Sequence, residues 1–367
     1  MTNDLLYQIA LTLVPNIGDV HAKALINLYG DAQSIFKAKK RDLDHLEGIG
    51  TIRAGSIKAF TDFQSCEAEI KFIEQYRIIP LFITDKNYPQ RLLNCYDSPA
   101  LLYYRGNADL NCSRVISIVG TRNNSDYGKT ACEKLVEELK QSNILVVSGL
   151  AFGIDTIAHR ASLKNNLQTV GVLAHGLDRI YPPQNKTLAK QMVEQGGLLT
   201  EFISNTIPDK QNFPKRNRIV AGMCDALVVV ESGKKGGSLI TAELANSYNK
   251  DVFAIPGRTS DIKSEGCNYL VKNNKASLIN CSADLLEMMN WVENKKIQPK
   301  KQRELFIELS PDEKIVIGLL QSQERIQIDQ LYFKSGLSSS AMAAALLMLE
   351  MQGLVTSLPG KLYMLSP

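Results

Sequence analysis

The sequence predicts an α/β protein with a central, doubly wound parallel sheet, a small helical N-terminal domain and a C-terminal winged-helix domain. Two observations support this prediction. Short apolar runs alternate with amphipathic segments from about residue 79 to residue 292, which is typical of parallel strands connected by helices. From residue 310 onward, three helical segments precede a short hairpin, and that order is the plan of a winged helix.

Residues 1–78 are predicted to form the helical domain. Two similar turns, at residues 15–18 and 47–50, each precede small and apolar residues at helical spacing. Both turns resemble the helix-hairpin-helix (SAM-like) unit, which presents backbone N–H groups to a nucleic-acid phosphate. The nearby cations are Lys23, Arg53 and Lys58. A helical bundle with two tight turns and no ligand is the alternative, and the sequence leaves both open.

Residues 79–292 are predicted to form a Rossmann-like domain. The predicted strands are 115–119, 144–148, 169–173, 198–200, 226–230, 252–255 and 277–279. The run 226–230 is continuously apolar, as expected for a strand that is buried on both faces. In the predicted helix 127–141, the buried stripe consists of Ala131, Leu135, Val136 and Leu139. Ligands of such sheets bind beyond the carboxyl ends of the strands, so we expect the site at that edge.

Segment 213–243 combines two features that suit an anion. Lys215, Arg216 and Arg218 lie at the start of a predicted helix, 214–223, where the helix dipole favours negative charge, so a bound anion would complete the site. A helix start whose cations form salt bridges within the protein is the alternative. A glycine-rich loop, 233–238, then leads from a strand into a second helix. Free N–H groups at such a helix start favour phosphate. The ligand is therefore predicted to be phosphorylated, either a nucleotide or a polynucleotide.

Other candidate residues follow the first two predicted strands of this sheet. Arg122 comes directly after strand 115–119 and is placed to bind an anion through two N–H groups. Gly149 and Gly153 allow close approach of the backbone to a ligand. Phe152 lies between them, either as an exposed ring that stacks on a base or as a core residue.

Composition excludes several functional classes. The 367 residues carry a net charge of +4, which permits nucleic-acid binding without requiring it. Seven scattered cysteines and four histidines show no metal-ligand spacing, so we expect reduced thiols and no metal. Asp155 and His159 share a helical face but lack a nucleophile or a third ligand, and are interpreted as structural. Neither G-x-G-x-x-G nor G-x-x-x-x-G-K-[ST] is present, so we expect no cofactor and no nucleotide hydrolysis.

The chain shows no sequence feature of export or membrane insertion. The first fifteen residues lack a basic flank and a cleavage site, so a secretory signal is not expected. No apolar run approaches the length that spans a membrane. We therefore expect a cytoplasmic protein.

The C-terminal region divides into a linker and a compact module. Residues 293–309 are basic and contain a proline, which predicts a solvated linker or an arm that touches nucleic acid. Residues 310–367 form the predicted winged helix. Its presumptive recognition helix, 338–352, contains no Lys, Arg or His, whereas duplex readers need cationic or amide side chains there. We therefore predict that this module contacts protein.

Seven motifs in order resemble the DNA-processing protein A (DprA/Smf) family. They are VGTR (119–122), SGLAFGID (148–155), GLDRIYPPQN (176–185), NFPKRNRIVAG (212–222), GGSLITAELA (236–245), VFAIPG (252–257) and EGCNYLVKNN (265–274). The match is almost continuous from about residue 85 to residue 286. It implies a non-enzymatic protein of natural transformation, which forms homodimers, protects incoming single-stranded DNA and loads a RecA-type recombinase onto it.

The resemblance also implies which residues bind DNA. They are Gly120, Thr121, Arg122, Gly149, Phe152, Gly153, Lys215, Arg216, Asn217, Arg218, Gly236, Gly237 and Ser238. Two positions depart from the family pattern, which puts their contribution to affinity in doubt. His175 stands where a small hydroxyl residue is usual, and Pro183 stands where some members carry Lys.

Two other functions are compatible with the sequence. The loop 236–243 loosely resembles that of nucleotide phosphoribohydrolases, in which Glu243 would act on a ribose. A protein scaffold whose pocket no longer binds a ligand is the other alternative.

Overall fold

The computed structural model describes residues 2–292, 309–323, 325–358 and 360–366. They form two compact units, Met1–Val292 and Glu293–Pro367. The predicted linker, apart from residue 309, lies outside the described residues. The domain boundaries given above therefore stay predictions.

The first unit contains fourteen α-helices among its described residues. They are α1 (Thr2–Leu13), α2 (Asp19–Tyr29), α3 (Ala32–Lys37), α4 (Lys40–Asp44), α5 (Gly50–Ala59), α6 (Phe63–Tyr76), α7 (Gln90–Leu93), α8 (Asp126–Glu138), α9 (Ile154–Lys164), α10 (Lys186–Glu194), α11 (Asn212–Gly222), α12 (Gly237–Ser247), α13 (Glu265–Lys272) and α14 (Ser282–Met288). Short 3₁₀ helices occur at Pro183–Asn185 and Ile262–Ser264.

Nine strands of this unit form one sheet. They are β1 (Ile79–Phe82), β2 (Leu101–Gly106), β3 (Val115–Val119), β4 (Leu145–Ser148), β5 (Thr169–Val172), β6 (Gly196–Thr200), β7 (Ala226–Val229), β8 (Asp251–Ala254) and β9 (Ser277–Leu278). Their spatial order is β1-β2-β6-β5-β4-β3-β7-β8-β9. All seven predicted strands are present, and they pair in parallel. The predicted α/β class with a Rossmann-like parallel sheet is confirmed.

Alternation of side chains along the strands explains why helices cover both faces. In β3, Val115 and Val119 belong to one hydrophobic cluster, whereas Ile116 and Ile118 belong to another. Successive side chains of a strand point to opposite faces. Since every residue of β3 is buried, each face needs its own layer of helices, which is the doubly wound arrangement.

The N-terminal helices pack onto this sheet within the same unit. Ile9 of α1, Leu25 of α2 and Ile57 of α5 belong to the same hydrophobic cluster as Leu102 of β2 and Val147 of β4. Burial of such side chains stabilises a fold by about 1.5–3 kcal/mol each. The helices therefore contribute to one shared core with the sheet.

The sequence did not indicate the two strands at one edge of the sheet. β2 pairs antiparallel with β6, and β1 pairs antiparallel with β2. The helix between them, α7, has only four residues, which is too short to show the helical periodicity that indicated the other connections. The run 101–104 is apolar and buried, and its apolar character was the sequence feature that could have indicated β2.

The chain changes direction across the sheet at β3. From β3 it continues through β4 and β5 to β6 on one side, and later through β7 and β8 to β9 on the other. The loops after β3 and β7 therefore diverge at one point of the carboxyl edge. Such a topological switch point leaves a crevice in which α/β proteins bind their ligands.

The second unit confirms the predicted winged helix. It contains α15 (Pro311–Gln321), β10 (Ile326–Gln327), α16 (Ile328–Ser335), α17 (Ser339–Met351), β11 (Val355–Leu358) and β12 (Leu362–Leu365). Ser310 and Glu313 form a capping box at the start of α15, which satisfies two otherwise free N–H groups. Its core includes Val316, Leu331 and Leu346. In both units, none of the described helices has the length and apolar character needed to cross a membrane.

Candidate functional site

A pocket of about 370 Å³ opens at the switch point of the sheet. Nine of the thirteen predicted site residues line it: Gly120, Thr121, Arg122, Gly149, Arg216, Asn217, Gly236, Gly237 and Ser238. These residues come from the loops after β3 and β4 and from the starts of α11 and α12. The structure therefore brings together residues that are more than a hundred positions apart in the sequence.

The loop after β3 packs closely against the start of α9. A side chain at Gly153, whose φ is +76°, would place its Cβ 2.2 Å from the Thr121 carbonyl oxygen. A Cβ at Gly120 would lie 2.5 Å from Ile154. The Ile154 N–H donates to the Thr121 carbonyl at 3.2 Å. This packing requires glycine at both positions and holds Arg122 at the pocket mouth, where its side chain is exposed.

A buried arginine forms the floor of the pocket. The Arg216 guanidinium lies 3.8 Å from the Asp155 carboxylate, and both residues are buried. Burial raises the pKa of Asp155 and lowers the pKa of Arg216, because each charged form loses hydration. Arg216 also donates to the Val172 carbonyl at 3.4 Å, but its Nε has no partner. An anion in the pocket would compensate this incompletely satisfied cation.

Gly149 makes room for that arginine. A Cβ at this position would lie 1.2 Å from Nη1 of Arg216. Any other residue therefore displaces the guanidinium from the floor of the pocket. The sequence predicts that Gly149 allows close approach of a ligand. The structure shows that Gly149 also allows close approach of the Arg216 side chain.

The start of α12 supplies backbone donors. Gly236 precedes the helix, and no side chain caps its first N–H groups. Ser238 donates its hydroxyl to Ser232 at 2.8 Å, so that hydroxyl fixes the loop. The uncapped N–H groups and the helix dipole favour an anion at this end of the pocket.

Aromatic side chains form a second wall, next to the main pocket. Phe152 is 44% exposed and Tyr181 is 46% exposed, and both line a smaller cleft together with Phe213. The Arg122 guanidinium lies 5.0 Å from the centre of the Phe213 ring. The alternative that Phe152 is a core residue is therefore wrong. Exposed rings beside a cationic pocket suit stacking on bases.

His175 contributes to this wall from beneath the surface. Its Nδ1 lies 2.9 Å from the Gly176 carbonyl, and its Nε2 accepts the Tyr181 N–H at 3.2 Å. Burial lowers the pKa of His175, which favours the neutral ring that this pair of bonds requires. The imidazole therefore positions the backbone of Tyr181. Pro183 begins the 3₁₀ helix Pro183–Asn185 and does not line either cleft.

The prediction that Arg218 binds DNA is corrected by its position. It is only 9% exposed, and its guanidinium binds Asp19 of α2 at 2.8 Å, Glu201 and the carbonyl of Asp97. It does not line the pocket. Residues two apart on a helix do not share a face, so Arg216 and Arg218 point to different surroundings. Arg218 stabilises the fold.

Two predicted residues lie beside the pocket without lining it. Lys215 is exposed at the start of α11, one position from Arg216 of the floor. Gly153 lies beneath the loop that carries Arg122. Lys215 therefore remains available to a ligand that extends beyond the pocket.

Other cations named from the sequence serve internal contacts. Lys23 donates to the carbonyls of Leu93 and Cys95 at 2.7 and 2.9 Å. Arg53 donates to the carbonyls of Asn16 and Gly48, both at 3.1 Å. Lys58 donates to the carbonyl of Phe36. Arg53 and Lys58 brace the helical region, and Lys23 joins it to the segment around α7. These contacts weaken the interpretation that its turns bind phosphate.

Glu243, the residue required by the enzyme alternative, does not line the pocket. Its carboxylate pairs with Lys275 at 3.1 Å, and its side chain is largely exposed. His159 is fully buried, with Nδ1 2.7 Å from the Thr169 hydroxyl, and burial lowers its pKa to about 3. It therefore packs as a neutral core residue. The described residues contain no group of three His, Cys, Asp or Glu that could hold a metal ion.

Sequence reasoning missed two parts of the site. Asp155 was interpreted as structural, yet it lines the pocket and neutralises Arg216. Tyr181 lies within the motif 176–185 but was not assigned a role. An aromatic residue before two prolines, in a loop that follows a strand, was the available signal.

A Rossmann-like sheet with an anion pocket at its switch point, on one chain with a winged helix, defines the class of this protein. The model of the family "DNA recombination-mediator protein A" matches residues 80–290, and the model "DprA winged helix domain" matches residues 300–361. The chain belongs to the DNA recombination-mediator protein A (DprA/Smf) family.

Relatives and solved structures agree with this assignment. Protein Smf of Synechocystis is 31% identical, over 97% of this chain and 98% of the relative. DNA processing protein DprA of Streptococcus pneumoniae is 36% identical, over 69% of this chain and 96% of the relative. The X-ray structure of the pneumococcal protein matches with a TM-score of 0.69 at 32% identity, covering 77% of this chain and 97% of the other.

A second solved structure is described by its single-stranded DNA binding mode. It is DNA processing protein A of Helicobacter pylori, which matches with a TM-score of 0.53 at 29% identity. The match covers 59% of this chain and 96% of that protein.

Proposed function

We propose that this protein binds single-stranded DNA at the carboxyl edge of its central sheet. In this proposal it protects incoming strands during natural transformation and loads a RecA-type recombinase onto them. It acts in the cytoplasm as a homodimer and does not alter the DNA chemically. The observation that carries the proposal is the pocket in which Arg122, Arg216 and the uncapped start of α12 converge beside exposed aromatic rings.

The chemistry of the pocket matches a phosphodiester chain better than a free nucleotide. Arg122 at the mouth and Lys215 outside the pocket offer two cations along a path. Backbone N–H groups at the start of α12 add neutral donors in the pocket. Phe152 and Tyr181 present ring faces that any base can stack on. A free mononucleotide would leave Lys215 without a ligand.

The salt dependence expected from phosphate contacts of Arg122 and Lys215 is modest. Each phosphate neutralised on a single strand contributes about −0.7 to the slope of log K against log salt. Two contacts therefore give a slope of about −1.4 per protomer. Tight coating of a strand then requires several binding pockets on one DNA, and a homodimer with two pockets supplies them through effective concentration.

Family membership supports single-stranded DNA and a recombinase as the partners. The family model is described as a recombination mediator, which fits a protein that delivers DNA to a recombinase. The relative of known structure from Helicobacter pylori is described as binding single-stranded DNA. The position of Glu243 outside the pocket supports binding without chemistry.

The test is equilibrium binding of a fluorescent oligothymidylate and of its duplex form across a salt series. Lys215→Glu should weaken binding of the single strand by about tenfold, because it replaces a phosphate contact by a like charge. The matched control is Lys140→Glu, an exposed lysine after α8. Equal affinity for single strand and duplex, or equal effects of both substitutions, would place the DNA elsewhere.

A further inference from the structure

A second groove of about 650 Å³ lies in the same unit and is larger than the anion pocket. It runs between α10 and the neighbouring strands β2 and β6. The residues that line it are Arg105, Leu177, Asp178, Arg179, Ile180, Pro183, Lys186, Ala189, Lys190, Val193, Glu194 and Leu198. None of them belongs to the site described above.

The floor of this groove is aliphatic. Leu177, Ile180 and Val193 are only half buried and pack at the margin of a small hydrophobic cluster with Leu198 and Ala189. The cluster is thus left open on one side, toward the groove. An apolar side chain of a ligand could complete it, with about 25 cal/mol gained for each Å² of apolar surface removed from water.

The rim of the groove is predominantly cationic. Lys186 and Lys190 are four residues apart on α10 and therefore share its face. Within the part of the chain that the structure describes, neither has a carboxylate within ion-pair distance. Arg105 contributes a third cation, while Arg179 is already paired with Asp178 at 2.8 Å. Arg105, Lys186 and Lys190 thus remain available to pair with a ligand, and Glu194 is the one other carboxylate in the lining.

One feature argues against DNA as the occupant. No aromatic residue lines the groove, whereas stacking on aromatic rings supplies much of the affinity of single-strand sites. The anion pocket has the opposite character, with aromatic rings beside it and its single carboxylate paired to Arg216.

We propose that this groove is a docking site for an acidic peptide segment of a partner protein, anchored by aliphatic or aromatic side chains. Acidic residues of the peptide pair with Arg105, Lys186 and Lys190, and its apolar anchors cover the floor formed by Leu177, Ile180 and Val193. Complementary charge at the rim and apolar burial at the centre are the usual division of roles in such interfaces.

The groove lies next to the aromatic cleft of the proposed DNA site. Tyr181 and Pro182 line the aromatic cleft, and Pro183 lines the groove. A bound peptide would therefore lie directly beside the DNA that occupies the pocket. A partner that carries an acidic tail is brought to the strand without competing for its phosphates.

The test uses the full-length protein and a short fluorescein-labelled peptide of acidic residues interspersed with leucines. We expect micromolar, salt-sensitive binding by fluorescence anisotropy. Lys186→Glu with Lys190→Glu should weaken it by about tenfold or more, and Val193→Ser should weaken it by a smaller factor. Lys140→Glu is the control, and the same peptide with serines in place of leucines should bind at least about tenfold more weakly.

Three results would overturn the proposal. Peptide binding that is absent from the wild type, or unchanged in the double variant, removes the groove as the site. Equal binding of the leucine and serine peptides reduces the contact to non-specific charge attraction. A loss of oligothymidylate affinity in the double variant without any loss of peptide affinity assigns the groove to the DNA path. Melting temperatures of all variants confirm that each is folded.

Discussion

Substitution of Arg218 separates a role in folding from a role in DNA binding. Its guanidinium joins Asp19 of α2 and Glu201 after β6 to the helix α11. Arg218→Met keeps most of the side-chain volume but leaves these carboxylates without their cation. Removing one partner of a buried ion pair costs about 3–5 kcal/mol. Because Asp19 and Asp97 are partly exposed, we take the lower value of about 3 kcal/mol.

The cost should depend on pH, with a defined sign. Burial raises the pKa of Glu201 from 4.5 to about 7, although Arg218 opposes the rise. Glu201 binds a proton more tightly in the folded protein than in the unfolded chain. Protonation of Glu201 therefore stabilises the folded state fully below pH 4.5, and this contribution to the free energy of unfolding is lost as pH rises through about 7. Without Arg218 the pKa of Glu201 rises further. Arg218→Met should therefore destabilise the protein more at pH 8 than at pH 5.5.

Thermal unfolding and DNA binding measure the two roles separately. A loss of about 3 kcal/mol lowers the melting temperature by about 6 °C in a unit of this size. The affinity of the folded variant for oligothymidylate should stay within about twofold of the wild type. An unchanged melting temperature together with a tenfold loss of affinity would show that Arg218 contacts DNA and does not stabilise the fold.

Three further substitutions probe the pocket itself, each by oligothymidylate affinity. Arg122→Ala should weaken binding by about tenfold and make the salt slope less steep by about 0.7, since one phosphate contact is lost. Gly149→Ala should weaken binding although the added methyl group is apolar, because its Cβ would occupy the place of Arg216 Nη1, 1.2 Å away. Phe152→Ala should cost about 1–3 kcal/mol through lost stacking while leaving the salt slope unchanged.

The parallel sheet could be predicted because its strands are buried on both faces. β3 and β7 consist almost entirely of apolar residues, and the helices between strands carry a clear stripe. β1 and β2 were missed because the helix that connects them, α7, has only four residues and shows no helical periodicity in the sequence. Pro80 within β1 further weakens its strand pattern, although an edge position tolerates proline.

The site could be predicted only in part, since spacing along a helix does not show which face meets the ligand. Lys215, Arg216 and Arg218 form one cationic cluster in the sequence, but the fold distributes them among solvent, the pocket floor and an internal ion-pair network. The acceptors of Arg218 come from Asp19 and Glu201, which are distant in sequence. Their proximity is a property of the tertiary structure alone.

In the proposed function, single-stranded DNA lies at the carboxyl edge of the sheet, against the aromatic wall. Photo-crosslinking of an oligonucleotide that contains 5-iododeoxyuridine, followed by mass spectrometry of the peptides, tests this most directly. We expect crosslinks at Phe152, Tyr181 or Phe213, which present their rings beside the pocket. Crosslinks confined to the helices α1–α6 or to the winged helix would contradict it.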